Sequence, residues 1–514
     1  MSKTIIIIGA GLAGLSAALQ AAENGCNVKL VSSLPSERAQ SVMAEGGINA
    51  ALNTKDENDS PEEHFTDTIK AACGLADPNA VWGMTQAAPE LVHWLLKLGV
   101  KFNMSGYDDV DLRNFGGQKK KRTAFAQSDT GKQIMTAMID AVRRKEASGM
   151  VERFSHHSFL TLRLCGNICC GCVIRDEYSQ EIVELPGNAV IVASGGMHGL
   201  FGNTTGSLSN TGEVNAELFR LGVPLANGEM IQYHPTTVKC GGKRMLISEA
   251  ARGEGGRLFA MKDGKQWYFM EEKYPELGNL MPRDITAREI WKVSHESEVF
   301  LDMTEISDEI ISNKLSGLAD DCMTYLHKDI RKEPVSVLPG IHYFMGGILV
   351  DEQHRTPIQN LYAAGECCAQ YHGANRLGGN SLLGALYGGR VAAKSACEQA
   401  DVVDLSCATQ IDFPPASQIS EIKQLNKVMQ ETMGVVRNEN TLLNGIQTVQ
   451  ALTGNLPLLG MAVLKSALAR KESRGAHWRE DYPKSNDDDY LKTTVARFDG
   501  KQIQISFVPV PERR

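Results

Sequence analysis

The sequence lacks the features with which a protein binds nucleic acid or enters a membrane unaided. Its 61 Asp and Glu residues outnumber its 53 Lys and Arg residues, so the net charge of -8 provides no positive field for nucleic acid or anionic lipid. The basic run at 119–122 is expected to be a solvated loop. The apolar run at 5–19 is broken by glycines and is shorter than the ~20 residues of a membrane span. With no targeting segment visible, we expect a cytoplasmic protein that reaches a membrane only through a partner.

The sequence also lacks the cysteine spacing of an iron–sulfur cluster or a haem attachment site. Its 12 cysteines are irregularly placed, and in a long cytosolic chain we expect free thiols rather than disulfides. One cluster at 165–172 could hold a metal, but it surrounds a Gly-Asn turn signal with apolar flanks. A β-hairpin with small buried thiols is therefore favoured over a metal site.

The sequence opens with a pattern typical of dinucleotide-binding proteins. An apolar strand at 5–8 is followed by a glycine-rich turn, an alanine-rich helix at 12–23 and a second strand at 28–31. The turn glycines are Gly9, Gly11 and Gly14. The first permits the tight turn, the second lets a pyrophosphate approach the backbone, and the third lets helix and strand pack closely. The helix N-terminus then offers N–H groups to the phosphates.

The end of the second strand departs from the general dinucleotide pattern. Ser32 stands where an acidic residue usually binds the ribose. Either a hydroxyl or a backbone group takes that role, or the site is not a generic NAD site. A glycine pair at 46–47 and an apolar strand at 361–364 that leads to Glu366 suggest a larger flavin site. Each stretch alone could equally be an ordinary strand-end turn.

Several segments farther along the chain are more specific. They read AEGGIN at 44–49, HPTT at 234–237, SEAARGEGG at 248–256, PRD at 282–284, HYFMGG at 342–347, HGANRLGGNSL at 372–382, RKESRGAH at 470–477 and DYP at 481–483. In this order they resemble the flavoproteins of the fumarate reductase, succinate dehydrogenase and L-aspartate oxidase family. The resemblance runs from residue 5 to about residue 483, which is nearly the whole chain.

The resemblance implies an α/β fold with three parts. A Rossmann-like FAD-binding domain would comprise residues 1–230 and 346–410, an inserted α+β capping domain 231–345, and a C-terminal helical domain 411–514. The residues implied to bind FAD are Gly9, Gly11, Gly14, Ser32, Gly46, Gly47, Ala193, Glu213, Glu366, Ser381 and Leu382. Glu213 keeps the carboxylate of the family's usual aspartate on a longer side chain.

The resemblance also implies a site for fumarate or succinate. A dicarboxylate needs cationic and hydrogen-bonding groups at both ends, and arginine binds a carboxylate through two parallel hydrogen bonds. The implied substrate residues are Phe115, His234, Ser248, His342 and Arg376. In the family, hydride passes from flavin N5 to one alkene carbon and an arginine protonates the other. Arg283 matches that arginine, and Glu249 and Arg252 match its proton relay; without the resemblance, Arg283 and Asp284 would be read as a structural ion pair.

Two features depart from the membrane-bound members of the family. Gln40 stands where those members carry a histidine that is bonded covalently to the flavin. Glutamine cannot form that bond, so we predict non-covalent FAD. Because the covalent bond raises the flavin potential, its absence predicts a preference for fumarate reduction. The sequence ends at residue 514, earlier than typical members, which weakens the expectation of docking on a standard iron–sulfur subunit.

Alternative functions remain open on the sequence alone. L-aspartate oxidases tend to carry a glutamate before the glycine pair at 116–117 to meet the substrate ammonium, and Phe115 at that position favours fumarate or succinate. Another unsaturated dicarboxylate is a further alternative. A non-catalytic flavoprotein subunit is disfavoured because the predicted catalytic set is intact. The motifs do not identify the electron donor, which would be a partner subunit such as an iron–sulfur protein, a soluble carrier or a small molecule.

Overall fold

The structure is a computed structural model that describes residues 2–106, 109–400, 411, 413 and 418–514. Its strands, in chain order, are β1 (Thr4–Ile8), β2 (Asn27–Ser32), β3 (Ile48–Asn49), β4 (Leu112–Arg113), β5 (Thr123–Ala124), β6 (Val151–Ser155), β7 (His157–Cys165), β8 (Ile168–Asp176), β9 (Ile182–Pro186), β10 (Ala189–Val192), β11 (Leu225–Ala226), β12 (Ile231–Cys240), β13 (Lys243–Leu246), β14 (Arg257–Lys262), β15 (Lys265–Trp267), β16 (Val299–Asp302), β17 (Val335–Ser336), β18 (Leu338–Phe344), β19 (Gly347–Leu349), β20 (Leu361–Ala363), β21 (Cys368–Ala369), β22 (Lys492–Phe498) and β23 (Ile503–Pro509). Its α-helices are α1 (Leu12–Glu23), α2 (Pro61–Ala71), α3 (Pro78–Lys97), α4 (Thr130–Ala147), α5 (Glu213–Arg220), α6 (Glu249–Gly253), α7 (Phe269–Lys273), α8 (Arg283–Val293), α9 (Asp308–Lys314), α10 (Ser316–Asp321), α11 (Asn380–Gln399), α12 (Ile419–Thr432), α13 (Glu439–Val449), α14 (Asn455–Ala469) and α15 (Asp487–Tyr490).

A parallel sheet with the strand order β20-β10-β1-β2-β6 lies at the centre of the nucleotide-binding part. The four isoleucines of β1 are buried on both faces of this sheet. Ile5 and Ile7 pack in the cluster that contains α1 and α11, whereas Ile6 and Ile8 pack against the sheet of β7, β8 and β9. A strand covered on both faces needs such a continuous apolar run. The sheet brings together the carboxyl ends of β1, β10 and β20, where folds of this kind bind ligands.

The predicted nucleotide-binding elements are confirmed. Helix α1 spans Leu12–Glu23 as predicted, and the second strand is one residue longer at each end than 28–31. The predicted hairpin is β7–β8, with Gly166 at a φ of 61° in its turn and the thiols at 169, 170 and 172 buried. The expectation of free thiols is wrong for Cys165, which is disulfide-bonded. Cys165 is only half-buried beside the turn, so the hairpin does not enclose its sulfur as it does the other three.

The segment 231–345, the predicted capping domain, contains both strands and helices and is called the capping unit below. It contains a sheet of the order β13-β12-β18, a sheet of the order β15-β14-β16-β17, and helices α6 to α10. A separate apolar cluster holds this unit together, and Phe115 joins that cluster from outside the segment. Phe115 therefore lies at the border between the nucleotide-binding part and the capping unit.

The C-terminal segment is helical only in part. Helices α12 to α15 are followed by strands β22 and β23, which join a sheet of the order β21-β19-β11-β22-β23. The sequence prediction of a helical domain for 411–514 missed this hairpin. A buried ionic cluster also ties the segment to the rest of the molecule: Arg470 contacts Glu229 and Glu472, each at 2.7 Å, with all three side chains fully enclosed. The predicted domain boundary at residue 410 lies outside the described residues.

The described residues contain neither a candidate membrane span nor a candidate metal cluster. None of the helices in those ranges is long and apolar enough to cross a membrane. Among the described residues, no group of three or more His, Cys, Asp or Glu side chains could hold a metal ion.

Candidate active site

A cavity of about 920 Å³ holds most of the predicted site residues. Gly9, Ala193 and Glu366 line it from the carboxyl ends of β1, β10 and β20, and the capping unit closes it with residues such as His234 and Arg283. Of the residues predicted to bind cofactor or substrate or to act in catalysis, Gly14 and Arg252 lie behind the wall and the others line the cavity. The fold therefore brings the predicted cofactor residues and the predicted substrate and catalytic residues to one cavity.

The N-terminal glycine turn has the geometry that a dinucleotide requires. Gly9 has a φ of 112°, and a Cβ there would lie 2.2 Å from the Ala193 carbonyl oxygen. A Cβ on Gly14 would lie only 1.8 Å from the Gly9 carbonyl oxygen, so Gly14 lets α1 pack against the turn. Gly11 has more room, with 3.5 Å to Ser41 Oγ, and lines the cavity. Its lack of a side chain leaves the backbone open to a phosphate.

Buried polar atoms in the cavity wall call for a polar ligand. Ser32 Oγ, Glu45 Oε2 and Asn210 Nδ2 have no hydrogen-bond partner within the described part of the chain, and all three residues line the cavity. Buried polar groups are nearly always paired in folded proteins. Ser32 occupies the place where the dinucleotide pattern binds a ribose hydroxyl. The glycine turn, the free hydroxyl and the cavity volume together fit FAD.

The second glycine pair closes the cavity toward the capping unit. A Cβ on Gly47 would lie 2.5 Å from the Ala124 carbonyl oxygen, and one on Gly46 would lie 3.0 Å from the Phe115 ring. Ser381 and Leu382 lie in the first turn of α11, which supplies backbone N–H groups to the cavity. Backbone can therefore approach a planar ring system from two sides.

Glu366 and Glu213 were both predicted to bind FAD, but the structure places them in different surroundings. Glu366 Oε1 already accepts a hydrogen bond from the Phe344 backbone N–H at 3.1 Å, so only its remaining lone pairs are free for a ligand. Glu213 is exposed at the first residue of α5 and lines the cavity with Glu177. Its longer side chain thus reaches the cavity from the edge of the site.

Arg283, Glu249 and Arg252 form a buried ionic cluster where the capping unit meets the cavity. Arg283 donates to Glu249 Oε2 from Nε at 2.8 Å and from Nη2 at 2.5 Å. Glu249 Oε1 lies 3.5 Å from Arg252 Nη2 and accepts the Gly116 backbone N–H at 3.0 Å. Burial opposes ionisation of Glu249, but Arg283 and Arg252 outweigh it and hold its pKa below the ordinary value. The carboxylate is therefore charged and binds both guanidinium groups.

Two neutral histidines and a second arginine share the same end of the cavity. Burial, followed by the charge of Arg283, holds the pKa of His234 and of His342 well below the usual range, so both rings are neutral at pH 7. Their ring centroids are 5.1 Å apart, and His342 Nδ1 lies 2.8 Å from Thr205 Oγ1. Neutral imidazoles can donate a hydrogen bond to a carboxylate without adding a further buried charge.

Arg376 is a buried cation that lacks an anionic partner among the described residues. Its guanidinium lies 4.3 Å from the centre of the Tyr343 ring, and its Nε has no hydrogen-bond acceptor within the described ranges. Burial and then the repulsion of Arg283 lower the pKa of Arg376 to about 9. A buried unpaired charge is costly, so binding an anion here is strongly favoured. Ser248, at the N-terminus of α6, adds a hydroxyl to this end.

Sequence reasoning did not single out Glu45 and Gln232. Gln232 Oε1 accepts from Arg283 Nη1 at 3.2 Å, and its Nε2 donates to the Arg376 carbonyl oxygen at 2.9 Å. It thus connects both arginines. Gln232 stands two residues before the HPTT motif in β12, and Glu45 stands inside the AEGGIN motif, so motif position was the available signal.

Glu45 is a buried carboxyl group with a strongly shifted pKa. Burial, followed by repulsion from Asp321, raises its pKa from 4.5 to about 8, against the opposing charge of Arg113. Glu45 is therefore mostly protonated at pH 7. A neutral acid beside the glycine pair can donate one hydrogen bond to a ligand in the cavity.

The Glu45→Gln variant is expected to lose part of the pH dependence of stability. The pKa is raised in the folded state, so the neutral carboxyl stabilises the fold at low pH, and this is lost as pH rises from 4.5 toward 8. The wild-type free energy of unfolding should fall relative to the variant by on the order of 3–5 kcal/mol across that window. Denaturant unfolding at matched FAD content between pH 5 and 8 measures it. Parallel profiles for the two proteins would contradict the assignment.

The chain is similar to known flavoproteins over nearly its whole length. Residues 4–382 match the family model of the FAD binding domain, and residues 452–513 match the model of the fumarate reductase flavoprotein C-terminus. The chain is 38% identical to the succinate dehydrogenase flavoprotein subunit of Bacillus subtilis, over 100% of this chain and 98% of that protein. It is 32% identical to the 8-methylmenaquinol:fumarate reductase flavoprotein subunit of Wolinella succinogenes, over 100% of this chain and 92% of that protein.

Solved structures show the same architecture. A mutant of the E. coli quinol fumarate reductase superposes with a TM-score of 0.89 at 26% identity, covering 99% of this chain and 97% of that chain. The Mycobacterium smegmatis Sdh1 in complex with UQ1 superposes with a TM-score of 0.82 at 28% identity, covering 100% of this chain and 95% of that chain. The predicted fold, an FAD-binding α/β part with a capping unit and a helical C-terminal region, is confirmed.

Proposed function

This chain is an FAD-dependent oxidoreductase of the succinate dehydrogenase and fumarate reductase flavoprotein family, and on that premise we propose that it is a fumarate reductase that interconverts fumarate and succinate with reduction favoured. The observation that carries the proposal is the pair of buried arginines, Arg283 and Arg376, in one cavity with the FAD residues. Because both are desolvated and Arg376 lacks an anionic partner among the described residues, a dicarboxylate offers the missing charge.

Different cavity residues bind the carboxylates and the carbon chain of the substrate. Arg376, His234, His342 and Ser248 hold the two carboxylates, and polarisation of one carboxylate builds positive charge on the far alkene carbon. Bound FAD supplies the hydride that attacks that carbon. Phe115 packs beside Gly46 at the border of the capping unit and presents an apolar face to the carbon chain. The residues therefore provide position and charge, and the cofactor provides the redox chemistry.

Arg283 delivers the proton to the adjacent carbon. A guanidinium normally keeps its protons, so this step needs a relay that takes up a proton from solvent and passes it to Arg283 as Arg283 gives its own to the carbon. Glu249 is in place, 2.5 Å from Arg283 Nη2, and Arg252 lies behind it, away from the cavity. Arg252 Nη1 also donates to the Asn279 carbonyl oxygen at 2.7 Å, which fixes the far end of the relay.

We expect the FAD to be bound without a covalent bond. Gln40 lines the cavity, and its Oε1 accepts a hydrogen bond from the Ser207 backbone N–H, so the side chain is engaged with protein rather than poised as a nucleophile. Acid precipitation of the purified protein should leave the yellow flavin in the supernatant. Flavin that stays with the washed pellet would contradict non-covalent binding.

In this proposal the chain needs a separate electron donor. Electrons reach the FAD from a partner subunit, such as an iron–sulfur protein, or from a soluble carrier, and the cytoplasmic chain reaches a membrane only through such a partner.

The proposed domain division is as follows. Residues 1–230 and 346–410 form the FAD-binding domain, 231–345 the capping domain and 411–514 the C-terminal domain. The apolar clusters support the separation of the capping domain from the core around α1 and α11, because those two clusters are distinct.

The proposed function is tested by anaerobic oxidation of a reduced viologen dye. Fast bleaching that depends on added fumarate is the expected result, with maleate, the cis isomer, as the control that keeps the charge and changes the geometry. No bleaching, with peroxide formed aerobically from L-aspartate, would replace the proposal by an L-aspartate oxidase. No reaction with either substrate would favour another unsaturated dicarboxylate and overturn fumarate.

A further inference from the structure

Two cysteines far apart in sequence meet beside the cofactor-binding helices. Cys26 precedes β2, and Cys397 lies in the last turn of α11. Their Sγ atoms are 3.0 Å apart, and both are free thiols. Cys26 is buried and Cys397 is partly exposed. A disulfide needs an S–S distance of about 2.0 Å, so a shift of roughly 1 Å would join them.

Contacts between α1, α11 and the start of β1 keep the two thiols close to each other in this structure. Helices α1 and α11 cross so closely that a Cβ on Gly389 would lie 2.3 Å from the Ala13 carbonyl oxygen. Ser16 Oγ donates to the Leu386 carbonyl oxygen at 2.6 Å at the same crossing. The Lys3 ammonium donates to the Cys397 carbonyl oxygen at 2.7 Å, which ties the end of α11 to the start of β1. The two sulfurs therefore stay near each other.

The same two helices hold the cofactor region of the cavity. Helix α1 begins after the glycine turn of Gly9 and Gly11, and α11 begins with the turn that contains Ser381 and Leu382. Movement of α11 away from α1 would open the cavity between these turns. A covalent bond between Cys26 and Cys397 would oppose that movement.

We propose that Cys26 and Cys397 are an oxidation site whose disulfide ties the α1–β2 connection to the last turn of α11 and slows the release of FAD. The oxidant is hydrogen peroxide. One thiol is oxidised to a sulfenic acid while peroxide is reduced to water, and the second thiol then displaces a second water as the S–S bond forms. Each sulfur loses one hydrogen, and one peroxide becomes two waters. Reduction by a dithiol reverses the step.

The Cys397 thiol is mostly protonated at pH 7. Burial, followed by the hydrogen bond with Cys26, raises the pKa of Cys397 to about 12, while the Lys3 charge acts in the opposite direction. Because the thiolate is the reactive form, oxidation should be slow at pH 7 and faster at pH 9.

The linkage is tested by peptide mapping of the FAD-loaded protein. After exposure to peroxide and alkylation of the remaining thiols, digestion without reductant should yield one linked species that contains Cys26 and Cys397, two hydrogens lighter than the separate peptides. Dithiothreitol and the Cys397→Ser variant should abolish it, whereas the Cys240→Ser variant, which removes a half-buried thiol of the capping unit, should retain it. Alkylation of both cysteines after full peroxide treatment would overturn the proposal.

The effect on the cofactor is tested separately. Release of FAD in a fixed concentration of urea, followed by flavin fluorescence, should be several-fold slower for oxidised than for reduced wild-type protein. The rate for the Cys397→Ser variant should not change with peroxide. If that variant does not fold, oxidised wild-type protein before and after dithiothreitol gives the same comparison. Equal release rates for linked and reduced protein would overturn the locking role. Neither readout depends on fumarate turnover, so the proposed reductase function can fail without affecting this result.

Discussion

Replacing Arg283 by alanine is expected to lower fumarate turnover by about 10²–10⁴-fold, the range that a general acid contributes, while FAD stays bound. Arg283 lines the substrate end of the cavity, and its Nη2 and Nε both donate to Glu249. The alanine variant removes the proton donor without touching the glycine turn or the first turn of α11. Viologen oxidation with fumarate measures turnover, and the ratio of absorbance at 450 and 280 nm measures retained FAD.

The control variants for Arg283 separate chemistry from folding. Removing the guanidinium leaves Glu249 buried with Arg252 as its remaining cation, and loss of a buried partner typically costs about 3–5 kcal/mol of stability. Arg283→Lys keeps the positive charge and a proton donor on a shorter side chain, so it should restore stability and give turnover above that of the alanine variant. Lys292→Ala, in the same helix but half-exposed, should leave both unchanged. Wild-type turnover in the Arg283→Ala protein would exclude Arg283 as the proton donor.

Adding one methyl group at Gly14 is expected to yield a protein that does not retain FAD. The new Cβ would lie 1.8 Å from the Gly9 carbonyl oxygen, far inside contact distance, and both groups belong to rigid backbone. The clash has to move α1 away from the glycine turn, so the N–H groups that bind the pyrophosphate leave their positions. The Gly14→Ala protein should be colourless after gel filtration, with flavin absorbance reduced at least about tenfold, which corresponds to roughly 1.4 kcal/mol or more of lost binding.

The matched control for Gly14 lies in the capping unit. Gly242 is in the β12–β13 turn, and a Cβ there would have no atom within 4 Å, so Gly242→Ala should retain FAD. Far-ultraviolet circular dichroism should show that the Gly14→Ala protein keeps its secondary structure. A full complement of FAD in that variant would mean that the turn can relax, and that Gly14 is not required for binding.

Local patterns predicted the nucleotide-binding elements well. The isoleucine run of β1 and the alanine-rich sequence of α1 are continuous, so hydrophobic pattern and propensity agree with the final fold. The β22–β23 hairpin was missed because most of its residues are half-buried or exposed and it lies in a charged, helical stretch. Its position depends on pairing with β11, more than 250 residues earlier, which no local pattern reports.

The sequence predicted most of the residues that line the cavity, but it did not predict their contacts. Motifs placed Arg283, Glu249 and His234 in one site through the family resemblance, and the fold brings them to one cavity. The role of Gln232 depends on hydrogen bonds to Arg283 and to the Arg376 carbonyl, which follow from the fold alone. The high pKa of Glu45 depends on burial and on Asp321 from another part of the chain. Burial and charge from distant residues arise only in the folded state, so the sequence alone could not predict these two features.

The strand order of the central sheet has a consequence for the time at which the protein acquires its cofactor. β1 ends at Ile8, yet the sheet also needs β10 and β20, and β20 begins at residue 361. At ~5–20 residues per second, roughly 20–70 s separate the synthesis of these strands. During that interval the isoleucine run is exposed to solvent or to chaperones. Flavin loading therefore follows synthesis of most of the chain, and supply of flavin to nascent chains cannot rescue a truncated product.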